Sequence, residues 1–166
     1  NSGDADSLSK TNHGWRFVAD GTPHDVKPVV VAAGAGASQI VRKLGGSVPL
    51  FPKRGYHAVM NCSGSIRQPI FDATYGVGLA NQGDNLRVTT GAELGGAVGD
   101  PNSPQVARAI QLAGELFGAE DEALQTWSGI RPCMPDMLPV IGPSTHHSGL
   151  WFNFGHGHQG LTLAPT

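Results

Sequence analysis

The sequence is poor in cysteine, in net charge and in long apolar runs, and each shortage closes off a class of protein. Cys62 and Cys133 are the only cysteines in 166 residues. A disulfide framework or a metal knuckle needs paired or clustered thiols, so neither is expected and a reducing compartment follows. Eleven Lys and Arg against thirteen Asp and Glu leave a net charge of −2. No basic stripe is available for a phosphate backbone, which argues against nucleic acid as a partner. No apolar run approaches the roughly 18 residues of a membrane-spanning helix, and no signal-peptide pattern opens the chain.

Glycine, by contrast, is plentiful. There are 24 in 166 residues, about twice the usual share of roughly 7%. They lie within apolar sequence rather than in Gly/Ser tracts, which points to tight turns and close backbone approaches rather than disorder.

Residues 1–14 are polar and read as loose. Trp15–Ala19 reads as a strand closed by the turn dipeptide Asp20-Gly21. Val29–Ala33 is a β-branched run of the kind buried on both faces in parallel sheets. Ser38 is placed to N-cap a short helix that ends at Leu44 before Gly45-Gly46. Val48–Pro52 is extended by its prolines, and Tyr56–Asn61 is the next strand. Ile70–Asp72, Val77–Asn81 and Asn85–Thr90 read as short antiparallel strands, the last two joined around Gln82-Gly83-Asp84. Pro101 to Pro104 introduce a helix over 105–117, whose apolar face is Val106, Ile110, Leu112, Ala113 and Phe117. Gln125–Ile130 and Leu150–Phe154 are the final strands. The order implies an α+β protein with a mixed, mostly antiparallel sheet.

Two stretches carry candidate chemistry. In the tail, Gly155, Gly157 and Gly160 spell G-x-G-x-x-G after a strand. A dinucleotide fingerprint also needs a βαβ unit and an acidic residue about 20 positions on. Neither follows, so the stretch is read as backbone built to approach a ligand. In 127–142, three prolines hold a rigid path around Arg131, a cation able to grip a carboxylate with two parallel hydrogen bonds. From spacing alone, Arg131 is equally well a surface residue paired with Asp136 or solvated. His146, His147, His156 and His158 lack Cys, Asp or Glu at matching spacing, so no metal site is expected. Cys62 and Cys133 read as buried small residues.

The segment Trp127-x-Gly129-x-Arg131-Pro132-x-x-Pro135-Asp136-x-x-Pro139-x-Ile141-Gly142 resembles that of the flavin-dependent D-amino-acid dehydrogenase, glycine oxidase and sarcosine oxidase superfamily, and is most similar to the dehydrogenase branch. Four further segments agree in the family's order: Val29–Gly34 with Ser38, Gly45–His57, Leu86–Gly95, and the tail G-H-x-x-x-G-x-T-x-A-P-T. The resemblance covers residues 29–166.

That resemblance implies part of an FAD-binding Rossmann-type domain over 1–46, a substrate domain over 47–126, and a return to the FAD-binding domain over 127–166. It implies non-covalent FAD, with Arg131 on the substrate carboxylate and Tyr56 or His57 shaping the amine side. Gly34, Ala35, Arg54, Gly55, Gly155, His156, Gly157, Gly160, Leu161 and Thr162 are the implied cofactor contacts, the tail lying against the flavin pyrimidine edge at the start of a last helix. Donors there would stabilise the charge a flavin gains on reduction. The implied reaction moves hydride from the α-carbon of a D-amino acid to flavin N5, and the imino acid then hydrolyses. Glycine or sarcosine oxidation is the alternative chemistry, and a non-catalytic remnant or interaction domain the alternative of another class. The family's N-terminal G-x-G-x-x-G and the rest of its last helix are absent from these residues, so the chain reads as truncated. On its own it is expected to be inactive and to bind FAD weakly. Implied partners are the N-terminal FAD-binding part or a membrane electron acceptor, in a cytoplasmic protein peripheral to the inner membrane. An oligomer is compatible with the sequence.

Overall fold

The structure, a computed structural model, describes residues 3–64, 66–94 and 104–165. Gly95, Pro101 to Ser103 and Thr166, which figure in the motifs above, lie outside the described residues. In chain order the strands are β1 (Gly3–Thr11), β2 (Gly14–Ala19), β3 (Thr22–Val26), β4 (Val29–Val31), β5 (Phe51–Cys62), β6 (Ile70–Asp72), β7 (Val77–Gln82), β8 (Asn85–Leu94), β9 (Ala119–Cys133), β10 (Val140–Pro143) and β11 (Leu150–Phe154). The helices are α1 (Ala37–Lys43), α2 (Pro104–Phe117) and the single turn α3 (Gly160–Leu163). The chain forms two compact units, Asn1–Phe51 with Arg131–Thr166, and Pro52–Ile130.

The first unit holds two three-stranded sheets, ordered β1-β2-β3 and β10-β11-β4. Asp20-Gly21 joins β2 to β3 with Ala19 opposite Thr22, and φ is +49° at Asp20 and +74° at Gly21. Positive φ at both central residues is what a two-residue hairpin turn needs to match the twist of its strands. In the second sheet β11 pairs antiparallel with β10 and parallel with β4, Trp151 lying opposite Val30. One face packs on α1 through Val31, Ile40, Val41, Leu150 and Phe154, around a fully buried Trp15. Trp15 donates its indole N–H to the Ser148 carbonyl at 3.2 Å and meets His147 edge-on.

Three local expectations do not hold. Residues 3–11 are not loose: they form β1, whose Ser7 Oγ accepts the Val18 N–H at 2.6 Å while Leu8 packs on the core. The strand over 29–33 is shorter and not buried on both faces, since Val30 is 57% exposed. Ser38 does not cap α1; Gly36 holds the N-cap position with no side-chain cap. At the other end Gly45 N–H donates to Arg42 O and Gly46 N–H to Val41 O, at 3.0 and 2.9 Å. That paired closure is the Schellman arrangement the two glycines predict.

The second unit is a five-stranded sheet, ordered β6-β7-β8-β5-β9, with α2 on one face. The β6-β7, β7-β8 and β8-β5 pairs are antiparallel. Val106, Ala109, Leu112 and Ala113 of α2 share a core with Tyr56, Ala58, Met60, Val77, Leu79, Leu86 and Val88. These strand positions alternate, so the residues between them line the face away from the helix. β3 and β10, each beside a proline, and the first half of β9 were not foreseen by the strand patterns.

Candidate functional site

In the first unit the site begins with strand direction. β4 and β11 run parallel, so their carboxyl ends lie on one edge of the sheet. β4 leads through Ala32 and Ala33 into the 3₁₀ turn Gly34–Gly36, and β11 into Gly155-His156-Gly157. The sheet thereby brings two cofactor-side predictions, Gly34-Ala35 and Gly155 to Gly157, to one edge. Ligands of open α/β sheets bind outside the carboxyl ends of strands.

The tail is pinned there by the end of β9. Cys133 and His156 form an antiparallel bridge, and Gly157 N–H donates to the Pro132 carbonyl at 2.9 Å. Gly155 and Gly157 have φ of +80° and +60°, and Cβ atoms on them would stand 3.0 Å from Met134 Cγ and 3.2 Å from Cys133 Sγ. Only glycine meets both demands cheaply. The next turn closes on itself: Thr162 N–H and Leu163 N–H donate to the Gln159 carbonyl, and Thr162 Oγ1 donates there too. Gly160 opens α3, and Leu161 stands 94% exposed. His156 Nε2 is buried without a hydrogen-bond partner among the described residues. A buried polar atom left unpaired calls for an explanation, and an absent ligand is one.

Arg131, at the end of β9, is half-buried and has no carboxylate partner among the described residues. Asp136 is engaged elsewhere, its Oδ1 accepting the Leu138 N–H at 3.0 Å inside a turn closed by Met137 N–H to Met134 O. The pairing of Arg131 with Asp136 that spacing allowed is therefore not made.

In the second unit, strand alternation separates Tyr56 from His57. Tyr56 is buried on the α2 face, where its hydroxyl donates to Glu93 Oε2. Arg54 and Gly55 are buried beside it, Arg54 directly opposite Glu93. The register shifts between Gly55 and His57, where Tyr56 N–H donates to Thr90 Oγ1 at 3.3 Å. His57 takes the helix-free face, stacked on Trp127 with ring centroids 5.2 Å apart. Arg87 Nη2 donates to His57 Nδ1 at 3.2 Å, which leaves the His57 proton on Nε2. Burial first, and the Arg87 charge second, push the His57 pKa down.

This gives a signed prediction. An NMR titration is expected to put the His57 midpoint below the ordinary imidazole value of about 6.5, and Arg87→Gln to raise it part of the way, because burial remains. A folded-state pKa that is lowered means the neutral ring is favoured on folding. The stabilisation is complete above about pH 6.5 and is lost as pH falls through the depressed value. A midpoint above 6.5 would refute the assignment.

Beside His57 runs a row that sequence reading missed. Cross-strand pairing aligns Phe71, Gly78, Thr89 and His57, with Ala80, Arg87 and Val59 in the next row. Gly78 leaves room, since a Cβ there would stand 2.7 Å from Thr89 Oγ1. The row forms a cavity of about 290 Å³ lined by Phe71, Gly78, Ala80, Arg87 and Thr89 among others. Alternation of Val77 and Leu79 with Gly78 and Ala80, and of Leu86 and Val88 with Arg87 and Thr89, was the available signal. No trio of His, Cys, Asp or Glu among the described residues is placed to hold a metal ion.

Residues 3–166 match the model of the FAD dependent oxidoreductase family. The chain belongs to that family. As a member of the FAD dependent oxidoreductases it is 36% identical over 140 residues to a D-amino acid dehydrogenase of Sinorhizobium medicae, covering 82% of this chain and 33% of that protein. A D-amino acid dehydrogenase of Rhizobium johnstonii is 32% identical over 151 residues, covering 89% and 36%. The chain thus spans about a third of the length of these curated relatives. Among solved structures, glycine oxidase from Geobacillus kaustophilus aligns over 96% of this chain and 44% of its own, with a TM-score of 0.82 and 23% identity. L-proline dehydrogenase from P. horikoshii aligns over 96% of this chain and 45% of its own, with a TM-score of 0.77 and 18% identity. These establish the fold, a mixed α+β architecture.

Proposed function

We propose that this chain supplies the flavin-ring end of the cofactor site, and part of the substrate site, of an FAD-dependent dehydrogenase that oxidatively deaminates D-amino acids. The observation that carries this reading is the single sheet edge holding Gly34-Ala35 and Gly155-His156-Gly157 at the ends of parallel strands. That edge fits a flat ring rich in acceptors: two glycines keep the backbone clear of Cβ atoms, and His156 Nε2 is buried without a partner. Gly160, Leu161 and Thr162 extend the cofactor side in the same unit. When bound, FAD supplies the hydride acceptor.

The chain's own residues orient the substrate. Arg131, lacking a carboxylate partner among the described residues, takes the α-carboxylate through its guanidinium fork. His57, neutral and with Nδ1 already accepting from Arg87, offers a donor rather than a base. No protein base is needed if the amine binds neutral, so orientation carries most of the residues' contribution. Tyr56, tied to Glu93, holds the strand that presents His57. The relatives' remaining length is the proposed partner of the first unit, where Val30, Ile141 and Trp151 are exposed apolar residues on strands β4, β10 and β11. A cytoplasmic enzyme passing electrons to a membrane acceptor completes the reading, supported by the two free cysteines.

The test is anaerobic mixing of the full-length, flavin-loaded protein with D-alanine and L-alanine. Bleaching of the yellow flavin absorbance by the D-isomer alone is the expected result, followed by dye-coupled turnover without peroxide. Peroxide formation would favour an oxidase, and bound flavin that no amino acid reduces would overturn the reading.

A further inference from the structure

The helix-free face of the second unit holds a cation, Arg87, that orients His57 but whose charge the chemistry above does not use. Arg87 lines the cavity beside Phe71, Gly78 and Thr89. Its cross-strand neighbours are Ala80 and Val59, so neither flanking strand offers a carboxylate. Among the described residues its hydrogen bond is to His57 Nδ1, a neutral acceptor, and its Nε is buried without a hydrogen-bond partner. By contrast Arg16 and Arg108 each hold a carboxylate, at 2.7 and 3.3 Å. A guanidinium with a buried, unsatisfied N–H is costly to maintain unless an acceptor arrives. The rest of the cavity is mostly apolar or small, with Pro69, Ile70, Phe71, Gly78 and Ala80, and the Thr89 hydroxyl is spent on the Gly78 carbonyl, which suits an aliphatic stem rather than a polar chain. An aliphatic stem ending in an anion fits both halves.

We propose that Arg87 is a specificity-determining residue that receives the side-chain carboxylate of an acidic amino-acid substrate in this cavity. The inference rests on the proposed amino-acid oxidation and narrows its substrate class to dicarboxylic amino acids. His57 serves the site by keeping Arg87 in place without neutralising it.

The test uses the full-length, flavin-loaded protein with D-glutamate and D-norvaline, which share a stem but not the terminal carboxylate. Arg87→Gln is expected to lower the ratio of kcat/KM for D-glutamate over D-norvaline by roughly 30-fold, with Arg87→Lys recovering part of it, since a point charge replaces a fork. A ratio that stays within about three-fold in both variants would overturn the proposal. A second readout needs no turnover: the Arg87 Nε–H resonance is expected to shift saturably with glutarate and not with 1-pentanol, which keeps an aliphatic stem but carries no anion. If glutarate moves that resonance but no amino acid reduces the flavin, the anion site stands and the deaminase reading fails. If D-norvaline is oxidised while glutarate leaves the resonance unmoved, the deaminase reading stands and the role of Arg87 fails.

Discussion

Arg131→Met is expected to lower kcat/KM of the full-length protein for D-alanine by roughly 10²- to 10³-fold, the loss that follows when a charged partner of a carboxylate is removed. The side chain is half-buried at the end of β9 and makes no ion pair with any described residue. Removing it therefore breaks no internal pair, and the melting temperature should stay close to that of the parent. Arg131→Lys should recover only part of the rate, because an ammonium cannot make two parallel bonds in one plane. Steady-state kinetics on the three proteins decide it. An unchanged kcat/KM in Arg131→Met would remove Arg131 from the substrate site, and a large fall in melting temperature would make its role structural.

Trp15→Ala should be the most damaging change to the first unit. The indole is fully buried, packs among Val31, Ile40, Val41, Leu150 and Phe154, and donates to the Ser148 carbonyl. A buried aromatic reduced to alanine costs about 3–5 kcal/mol, a large share of the roughly 5–15 kcal/mol that holds a domain together. Trp15→Phe keeps most of the volume and loses the hydrogen bond, so it should fall between. Urea unfolding followed by circular dichroism measures all three. A midpoint for Trp15→Ala equal to that of the parent would mean that the hairpin sheet contributes nothing to this core.

How much of this was legible beforehand depended on whether the information was local. The α2 pattern needed only a helical period: Val106, Leu112 and Ala113 are buried as expected, Ala109 joins them, and Ile110 and Phe117 are only partly buried. Asp20-Gly21 and Gly45-Gly46 acted through backbone geometry that neighbours do not change. β1 was hidden because nothing in its polar residues favours a strand; β2 supplies the pairing. Val30 misled for the opposite reason, since a β-branched run reports strand propensity but not which face is covered. Ser38 sits one residue inside α1, because the chain turns earlier, through Gly34–Gly36. On the candidate site, Arg131 and the tail glycines stood out as motifs. The row of Phe71, Gly78, Thr89 and His57 did not, because its alignment depends on cross-strand register past an irregularity between Gly55 and His57. A one-residue slip would have turned His57 toward the helix.

The parallel pairing of β4 with β11 also bears on the order in which the molecule assembles. It joins residues 29–31 to residues 150–152, and everything between must be synthesised before that contact can form. The intervening unit, Pro52–Ile130, is continuous in sequence and can condense while the last strand is still being made. Because its first and last strands in sequence, β5 and β9, are neighbours in one sheet, condensation draws the two flanking segments together. The effective loop to be closed then shrinks from about 120 residues to roughly 40, which lowers the entropic cost of pairing β4 with β11 by about 1 kcal/mol. The middle of the chain thus acts as an intramolecular template for the edge on which its glycines converge.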